Sequence, residues 1–403
     1  MINIIFIPII YFFFTFLIYK FNEKKIDFFL NYLIYTIYCA SFFLLVFLSH
    51  DLISNDVNDY YNQGKNFSFK INFSSYLGAF FEIIISILSL FLFNFMNVFF
   101  FIVSLSSISI LFLIKICNHL NFSTPFKLIS VSLFFLSPIS LAILSSGHRE
   151  IIEILFISIL TYLIVSIESR SIFMHYFFLL SVSLILFFLH KTYIIFIVFF
   201  IIYFLIYSNL NFNIKNLFFL IIFLLFITLF LYIFQNDLLE EIDFYNKADG
   251  SPNLSFENLL QFIMQYRDNV RIGSGVRVSR TLYDFNTNDF LIIEFMNIYI
   301  SYLFTPLMHF NKFYSVFNFL DYLYVIHIYF RILAVCIILI FFNHLDFKII
   351  NLFIMFLIIS LIWSLGTANY GTAIRHNLSS DFLIFVSSFY IIQKILKKKN
   401  IKD

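Results

Sequence analysis

The feature that most constrains this chain is a succession of apolar stretches, most of them close to the length of a bilayer-crossing helix. A helix needs about 20 apolar residues to cross the hydrocarbon core, so each stretch predicts a membrane span. We place eleven spans at about 2–19, 28–49, 96–117, 127–145, 151–168, 173–189, 192–208, 217–235, 318–342, 349–366 and 380–395. Two further apolar stretches, 79–94 and 290–308, either cross, lie in the interface or re-enter, so the total lies between about 10 and 13.

The composition agrees with a membrane protein and excludes a soluble one. Hydrophobic residues make up 62% of the 403 residues and charged residues only 12%, whereas soluble domains have about 45–50% and 25%. The net charge of +2 excludes a nucleic-acid binder driven by bulk charge. We therefore expect an all-α, polytopic membrane helix bundle forming one integral membrane domain over residues 1–403.

The lysines predict which face of this bundle is cytoplasmic. Short loops rich in Lys and Arg stay inside the cell, and with eleven spans such loops all fall on one face. Their basic residues are Lys20, Lys24, Lys25, Lys115, Lys127, Arg170, Lys215, Lys348 and the tail Lys394, Lys397, Lys398, Lys399, Lys402. The opposite, outer (periplasmic) face then carries a first loop over 50–78, a turn around Gly147, a large loop over 236–289, and a turn at Thr367–Ser379.

Arginines concentrate on this outer face, where the distribution of basic residues disfavours them. They are Arg149, Arg267, Arg271, Arg277, Arg280 and Arg375. Arginine is the side chain suited to bidentate contact with phosphate or carboxylate. The pattern indicates an anion-binding outer surface, although a snorkelling arginine or a solvated loop would also fit at any one position.

Four outer segments carry candidate functional groups. The first loop holds Asp51, Asp56 and Asp59 followed by Tyr60 and Tyr61, a carboxylate beside two rings that could contact a sugar. Arg149 and Glu153, four residues apart, share a helix face behind His148, and Glu150 helps to begin that helix.

The other two segments lie later in the chain. Arg375 and His376 combine an anion ligand with a group that titrates near neutral pH. Arg271, Arg277 and Arg280 surround Gly273 and Gly275, whose backbone amides suit anions. Each segment also has a purely structural interpretation, as a solvated loop or as an ion pair that joins two helices.

The order of these features resembles the bacterial polysaccharide polymerases of the Wzy type, and their EpsG-like branch most closely. The resemblance rests on a lysine pair between the first two spans, Asp-Tyr-Tyr in the first outer loop, and Glu82 opening an interfacial segment. A Ser-Pro turn followed by His148-Arg149-Glu150, a late arginine-bearing outer loop and an arginine before the last span complete it. It covers most of the chain as order and topology.

The resemblance implies a GT-C-like membrane glycosyltransferase in the bacterial cytoplasmic (inner) membrane, active at the outer face. It would join undecaprenyl-diphosphate-linked oligosaccharide repeat units into an O-antigen, capsule or exopolysaccharide. Asp59, Glu150 or His376 would act as the base. The diphosphate and glycan would contact Arg149, Arg271, Arg277, Arg280, Arg375, His148, Tyr60 and Tyr61. No metal or other cofactor and no nucleic acid is expected, and a chain-length regulator protein is a candidate partner.

Two other classes stay open. Another polyprenyl-phosphate-dependent membrane glycosyltransferase would equally place a carboxylate soon after an early span. A lipid-linked oligosaccharide flippase or transporter would be expected to show internal repeats and charges within successive spans. The long outer loop and the outward arginines count against the transporter.

Overall fold

The computed structural model describes residues 6–48, 55–66, 80–166, 172–190, 193, 196–197, 291–305, 319–367 and 370–400. All regular structure within these ranges is helical and none of it is strand. The expected all-α class is therefore confirmed for the described part of the chain. The predicted span 217–235 and most of the predicted span 192–208 lie outside these ranges, as does the large loop over 236–289.

The helices follow one another in this order: α1 (Phe6–Phe21), α2 (Lys25–Leu48), α3 (Asn55–Lys65), α4 (Phe80–Leu92), α5 (Phe95–Ser104), α6 (Ser106–His119), α7 (Thr124–Phe135), α8 (Pro138–Leu144), α9 (Glu150–Val165), α10 (Ile172–Leu189), α11 (Leu291–Leu303), α12 (Phe319–Ile340), α13 (Phe347–Gly366) and α14 (Tyr370–Asn400). A short 3-10 turn, Phe342–His344, joins α12 to α13.

Several of these helices are long and apolar enough to cross a bilayer. Within the described ranges four qualify on their own, and they cover Lys25–Val46, Phe95–His119, Phe347–Ser364 and Thr372–Lys397. The chain is thus a membrane-embedded helix bundle. Shorter apolar helices, including Phe6–Phe21 and Tyr324–Ile340, surround these four.

One predicted span is broken. The stretch 127–145 forms α7 and α8, whose axes differ by 59°. Pro138 lacks an N–H and cannot continue the helical hydrogen bonding of α7. It becomes the first residue of α8 instead, and Ser137 Oγ accepts a hydrogen bond from Ser140 N at 3.3 Å. If the bent pair is one span, the described part of the chain contains five.

The stretch 79–94 is a short helix rather than a full crossing. Its helix α4 has 13 residues, which gives a length of about 20 Å against about 30 Å for the hydrocarbon core. Phe93, at φ 61°, follows its last turn, and Asn94 then caps α5 through its side chain. The described helix of the stretch 290–308, α11, also has 13 residues.

Helix α9 lies in the centre of the bundle. Of its 16 residues, 13 are buried, so almost no face is left for lipid. It packs against α6, α10 and α14. A charged residue on this helix is therefore enclosed by protein.

The lysine-bearing turns that the structure describes meet at one end of the bundle, which we call the lysine end. Lys115 lies over the ring of Phe21 at 5.7 Å, and Lys127 pairs with the buried Asp27. The side chain of Gln393 donates to the backbone oxygen of Asn121 at 2.6 Å. Residues from α1, α2, α6, α7 and the end of α14 are thus grouped here, as the sequence predicts for one membrane face.

The last helix begins earlier than expected. The predicted outer turn Thr367–Ser379 is wrong from Tyr370 onwards, because α14 runs unbroken over Tyr370–Asn400. Its first turns are buried against neighbouring helices, and such packing makes a polar segment helical despite weak local preference. Arg375 and Lys394 are therefore separated by about 28 Å along one helix, and Arg375 lies at the opposite end, which we call the arginine end.

Candidate functional site

A tight turn before α9 places two of the predicted residues. Gly147 has φ +82°, and an added Cβ there would lie 2.5 Å from Cδ1 of Phe99. Only glycine combines this left-handed backbone with so close an approach. The turn brings the buried His148 and then Arg149 to the start of α9.

Arg149 lies between carboxyl groups. Its Nε is 3.7 Å from Oε1 of Glu153, one helical turn further on, as the four-residue spacing predicts. The Tyr60 hydroxyl and the carboxyls of Glu82 and Glu150 also lie within electrostatic range of Arg149. Its side chain as a whole keeps 20% of its surface exposed, although its Nε is buried.

Arg375 approaches the same place from α14. Its Nε is 3.9 Å from Oε1 of Glu150, and its side chain is 23% exposed. Both arginine–glutamate distances exceed that of a hydrogen bond. Oε2 of Glu150 and Oε1 of Glu153 are buried without a hydrogen-bond partner. The arginine end thus contains two partly exposed cations over two buried carboxylates.

The Glu153 carboxylate accepts a hydrogen bond from a neutral side chain in addition to facing the cationic Arg149. The hydroxyl of Tyr193 donates to Oε2 of Glu153 at 3.1 Å, and the same hydroxyl lies 3.3 Å from Oγ of Ser379 on α14. Ser379 Oγ in turn donates to the backbone oxygen of His376 at 2.9 Å. All of these side chains are buried, so Glu153 has a fixed orientation.

A group of aromatic rings lies beside this chain of hydrogen bonds. His376 stacks on Trp363 with ring centroids 3.6 Å apart and an interplanar angle of 26°. Nδ1 of His376 is 3.2 Å from Oγ1 of Thr367, and His190 lies 4.3 Å from Trp363. His376 is therefore enclosed by rings rather than exposed in an outer turn.

The first-loop residues reach this end through α3 and α4. Gly64 lets α3 approach α4 so closely that an added Cβ would lie 2.9 Å from the backbone oxygen of Glu82. The ring of Tyr60 packs edge-on against Phe81 at 5.2 Å. The ring of Tyr61 packs in the same way against Phe95, also at 5.2 Å. Each tyrosine ring is therefore packed against another aromatic ring of the protein.

Glu82 adds a further acidic group. Burial raises the pKa of its carboxyl, while its own backbone N–H and the nearby charge of Arg149 oppose that rise. Asp59 differs, because its side chain is exposed on α3 and has no ion pair with another described residue. The side chains of Asp51 and Asp56 lie outside what the structure describes.

The structure therefore assembles part of the predicted site. It brings His148, Arg149, Glu150, Arg375 and His376 together with Tyr60 nearby. Arg271, Arg277 and Arg280 lie outside the described residues. Sequence reasoning missed Tyr193 and Trp363. The signal for Trp363 was its being the only tryptophan of the chain, and Tyr193 had none among 25 tyrosines.

A second buried ionic group lies further along α14. Arg331 donates from Nε and Nη2 to the two carboxylate oxygens of Asp381, both at 2.6 Å. Its Nη1 donates to the backbone oxygen of Leu303 at 2.8 Å, and His327 Nε2 is 2.8 Å from Asp381. These contacts join α11, α12 and α14. The sequence does not predict this group, because Asp381 lies 50 residues from Arg331 and 54 from His327 in the chain.

Fold and site together define a polytopic helical membrane protein with an arginine–glutamate cluster at one end of its bundle. Among the residues that the structure describes, no three His, Cys, Asp or Glu side chains are grouped so that they could hold a metal ion. In comparisons with known proteins, no family model, no curated protein and no solved structure matches the chain.

Proposed function

We propose that the chain is a membrane glycosyltransferase that polymerises lipid-linked oligosaccharide repeat units into a surface polysaccharide, at the outer face of the bacterial cytoplasmic membrane. The observation that carries the proposal is the pairing of Arg149 with Glu153 and of Arg375 with Glu150 at the arginine end. Such a transfer needs cations for a diphosphate leaving group and a carboxylate for a sugar hydroxyl, and both are present there.

The two arginines suit the leaving group. Cleavage of a glycosyl diphosphate leaves negative charge on the lipid diphosphate, and fixed guanidinium groups stabilise charge that develops in the transition state. Arg149 and Arg375 come from different helices and both are partly exposed. A diphosphate between them would be bound from two sides.

The position of the cluster suits a substrate anchored in lipid. The glutamates stand at the head of the central helix α9, while the lysine end lies at the other end of α14. A polyprenyl chain would stay in the bilayer while its diphosphate reached the arginines. If donor and acceptor were both bound there, their reaction would become effectively unimolecular, which lowers its entropic barrier.

The test is elongation by the purified protein. Reconstituted in vesicles with lipid-linked repeat units extracted from a strain lacking the gene, it should give a ladder of products differing by one unit. Transfer of a single sugar from a polyprenyl phosphate donor, with no ladder, would point to the other glycosyltransferase class. Movement of the lipid-linked unit across the vesicle membrane without any new covalent product would point to a flippase.

A further inference from the structure

We infer that Glu153 is the base of the site, taking the proton of the acceptor hydroxyl, and that Tyr193 is the residue that positions it. The inference rests on the proposed function and assigns a role within it. It assigns the base to a residue other than the three that the resemblance implies, Asp59, Glu150 and His376.

The first observation is how Glu153 is oriented. A general base works best when a third group fixes its direction. Tyr193 fixes Oε2 through a hydrogen bond of 3.1 Å, which leaves Oε1 as the oxygen that is free to act. The other acidic candidates are placed differently, since Glu150 faces Arg375 and accepts from its own backbone N–H, and Asp59 is exposed.

The second observation is the state of Oε1 itself. It is buried and has no hydrogen-bond partner, and among the described residues the nearest cationic atom is Arg149 Nε at 3.7 Å. A buried acceptor without a donor is energetically costly. A sugar hydroxyl donating to Oε1 would remove that cost, and it would then lie beside the arginine that faces the diphosphate.

The step balances with the groups present. The acceptor oxygen forms a bond to the anomeric carbon of the donor sugar as its proton passes to Oε1 of Glu153. The bond from that carbon to the diphosphate oxygen breaks, and the electron pair leaves on the lipid diphosphate beside Arg149 and Arg375. The protonated Glu153 then returns its proton to water when the products leave.

Other titratable groups also act on Glu153 and must be considered in any pH experiment. Those that face it from the surrounding elements are Arg149, Glu150, Tyr193, Tyr302 and Arg375. Of these, only Tyr193 donates a hydrogen bond to the Glu153 carboxylate.

The first experiment compares Glu153→Gln with Glu153→Asp in the vesicle elongation assay. Gln has the size of Glu and still accepts a hydrogen bond from Tyr193, but it is not a base. Asp keeps the carboxylate on a side chain that is one methylene shorter. If Glu153 is the base, the elongation rate of Glu153→Gln should fall at least about 100-fold. Glu153→Asp should then elongate faster than Glu153→Gln. A purely structural role predicts the reverse order, which would overturn the assignment.

The second experiment tests Tyr193 as a positioning residue. Loss of its hydrogen bond disfavours the ionised carboxylate, so Tyr193→Phe should move the rise of elongation with pH to higher pH. The matched control is Tyr38→Phe, since Tyr38 is also buried and donates to the backbone oxygen of Phe135, which is not one of the site residues. An unmoved pH profile in Tyr193→Phe would remove Tyr193 from this role.

The outcomes separate this inference from the proposed function. If the unmodified protein forms no ladder, the polymerase proposal fails and the role of Glu153 fails with it. If the unmodified protein elongates and Glu153→Gln does so equally well, only the assignment of the base is overturned. Loss of activity in Glu150→Gln or Asp59→Asn beside an active Glu153→Gln would place the base elsewhere.

Discussion

At the scale of single residues, the arginines of the site are unusual in being held by carboxylates without making close hydrogen bonds to them. Nε of Arg149 lies 3.7 Å from Oε1 of Glu153, and Nε of Arg375 lies 3.9 Å from Oε1 of Glu150. The buried pair of Arg331 and Asp381 differs, because Nε and Nη2 of Arg331 both donate to the carboxylate at 2.6 Å.

We expect Arg375→Ala to lower elongation by about 10²–10³, the effect of removing one stabilising donor from a site of developing charge. Arg375→Lys should restore only a small part, because a point charge does not reproduce the planar fork. The exposed Lys24→Ala, which removes a cation at the lysine end, serves as the control and should elongate normally. The measurement is the rate of product formation from equal amounts of membrane-inserted protein. Full activity in Arg375→Ala would show that Arg375 is not part of the site.

Gly147 is the other residue whose identity is dictated by the structure. Gly147→Ala places a methyl group against Phe99 in a backbone region that costs an L-residue about 1–2 kcal/mol. The turn should shift and take Arg149 with it. We expect both a lower thermal unfolding midpoint in detergent and weaker elongation. Ser146→Ala, at the neighbouring buried position, loses one hydrogen bond to Ile143 and should show a much smaller change in both measurements.

At the scale of helices, apolar length predicted most of the elements, and packing decided their ends. The stretch 349–366 matches α13 within two residues at its start, because a long uniform apolar run has few alternatives in a bilayer. The last helix was predicted to begin at 380 and begins at Tyr370. Its first turns contain Arg375, His376 and Asn377, whose helical state depends on partners in α9 and α13 that local sequence does not reveal.

The candidate site was predictable to a similar extent. Arg149, Glu150 and Arg375 stood out because charged residues are costly near the membrane core. Their pairing across α9 and α14 was not predictable, since it depends on which helices are neighbours. Tyr193 is one of 25 tyrosines, so no pattern in the sequence distinguished it, and Trp363 was distinguished only by being the single tryptophan.

The buried group formed by Arg331, His327 and Asp381 should matter for the stability of the bundle rather than for the reaction. Removing one partner of a buried ion pair costs about 3–5 kcal/mol. Asp381→Asn should therefore lower the thermal unfolding midpoint in detergent markedly. Asp346→Asn is the matched control, because Asp346 pairs with Lys394 at an exposed position where an ion pair contributes at most about 1 kcal/mol. Equal midpoints for the two variants would contradict the proposed role of Asp381.

At the scale of the whole molecule, the two ends of the bundle differ in chemistry. Among the described residues, Arg149, Arg375 and their glutamates occupy one end and Lys115, Lys127 and Lys394 the other. Arg375 and Lys394 are about 28 Å apart along α14, which is close to the thickness of the hydrocarbon core. This arrangement fits a chain whose lysine end faces the cytoplasm.

Reporter fusions test that orientation. A fusion after Lys399 should give a cytoplasmic signal, and fusions after Asn66 or within residues 253–279 should give an outer signal. The physical reason is the retention of lysine-rich loops on the cytoplasmic side. A cytoplasmic signal from the fusion after Asn66 would place the arginine end on the wrong face for a polymer assembled outside, and the proposed function would fail with it.

The stacking of Trp363 on His376 also gives the molecule an optical property. Trp363 is the only tryptophan of the chain. Fluorescence excited at a wavelength that indole absorbs and phenol does not therefore comes from Trp363 alone. The imidazole rings of His376 and His190 have centroids 3.6 Å and 4.3 Å from that of the indole, so a change in the position or protonation of either ring alters the surroundings of the indole. The fluorescence of the unlabelled protein therefore reports on changes at the arginine end, including the binding of a ligand there.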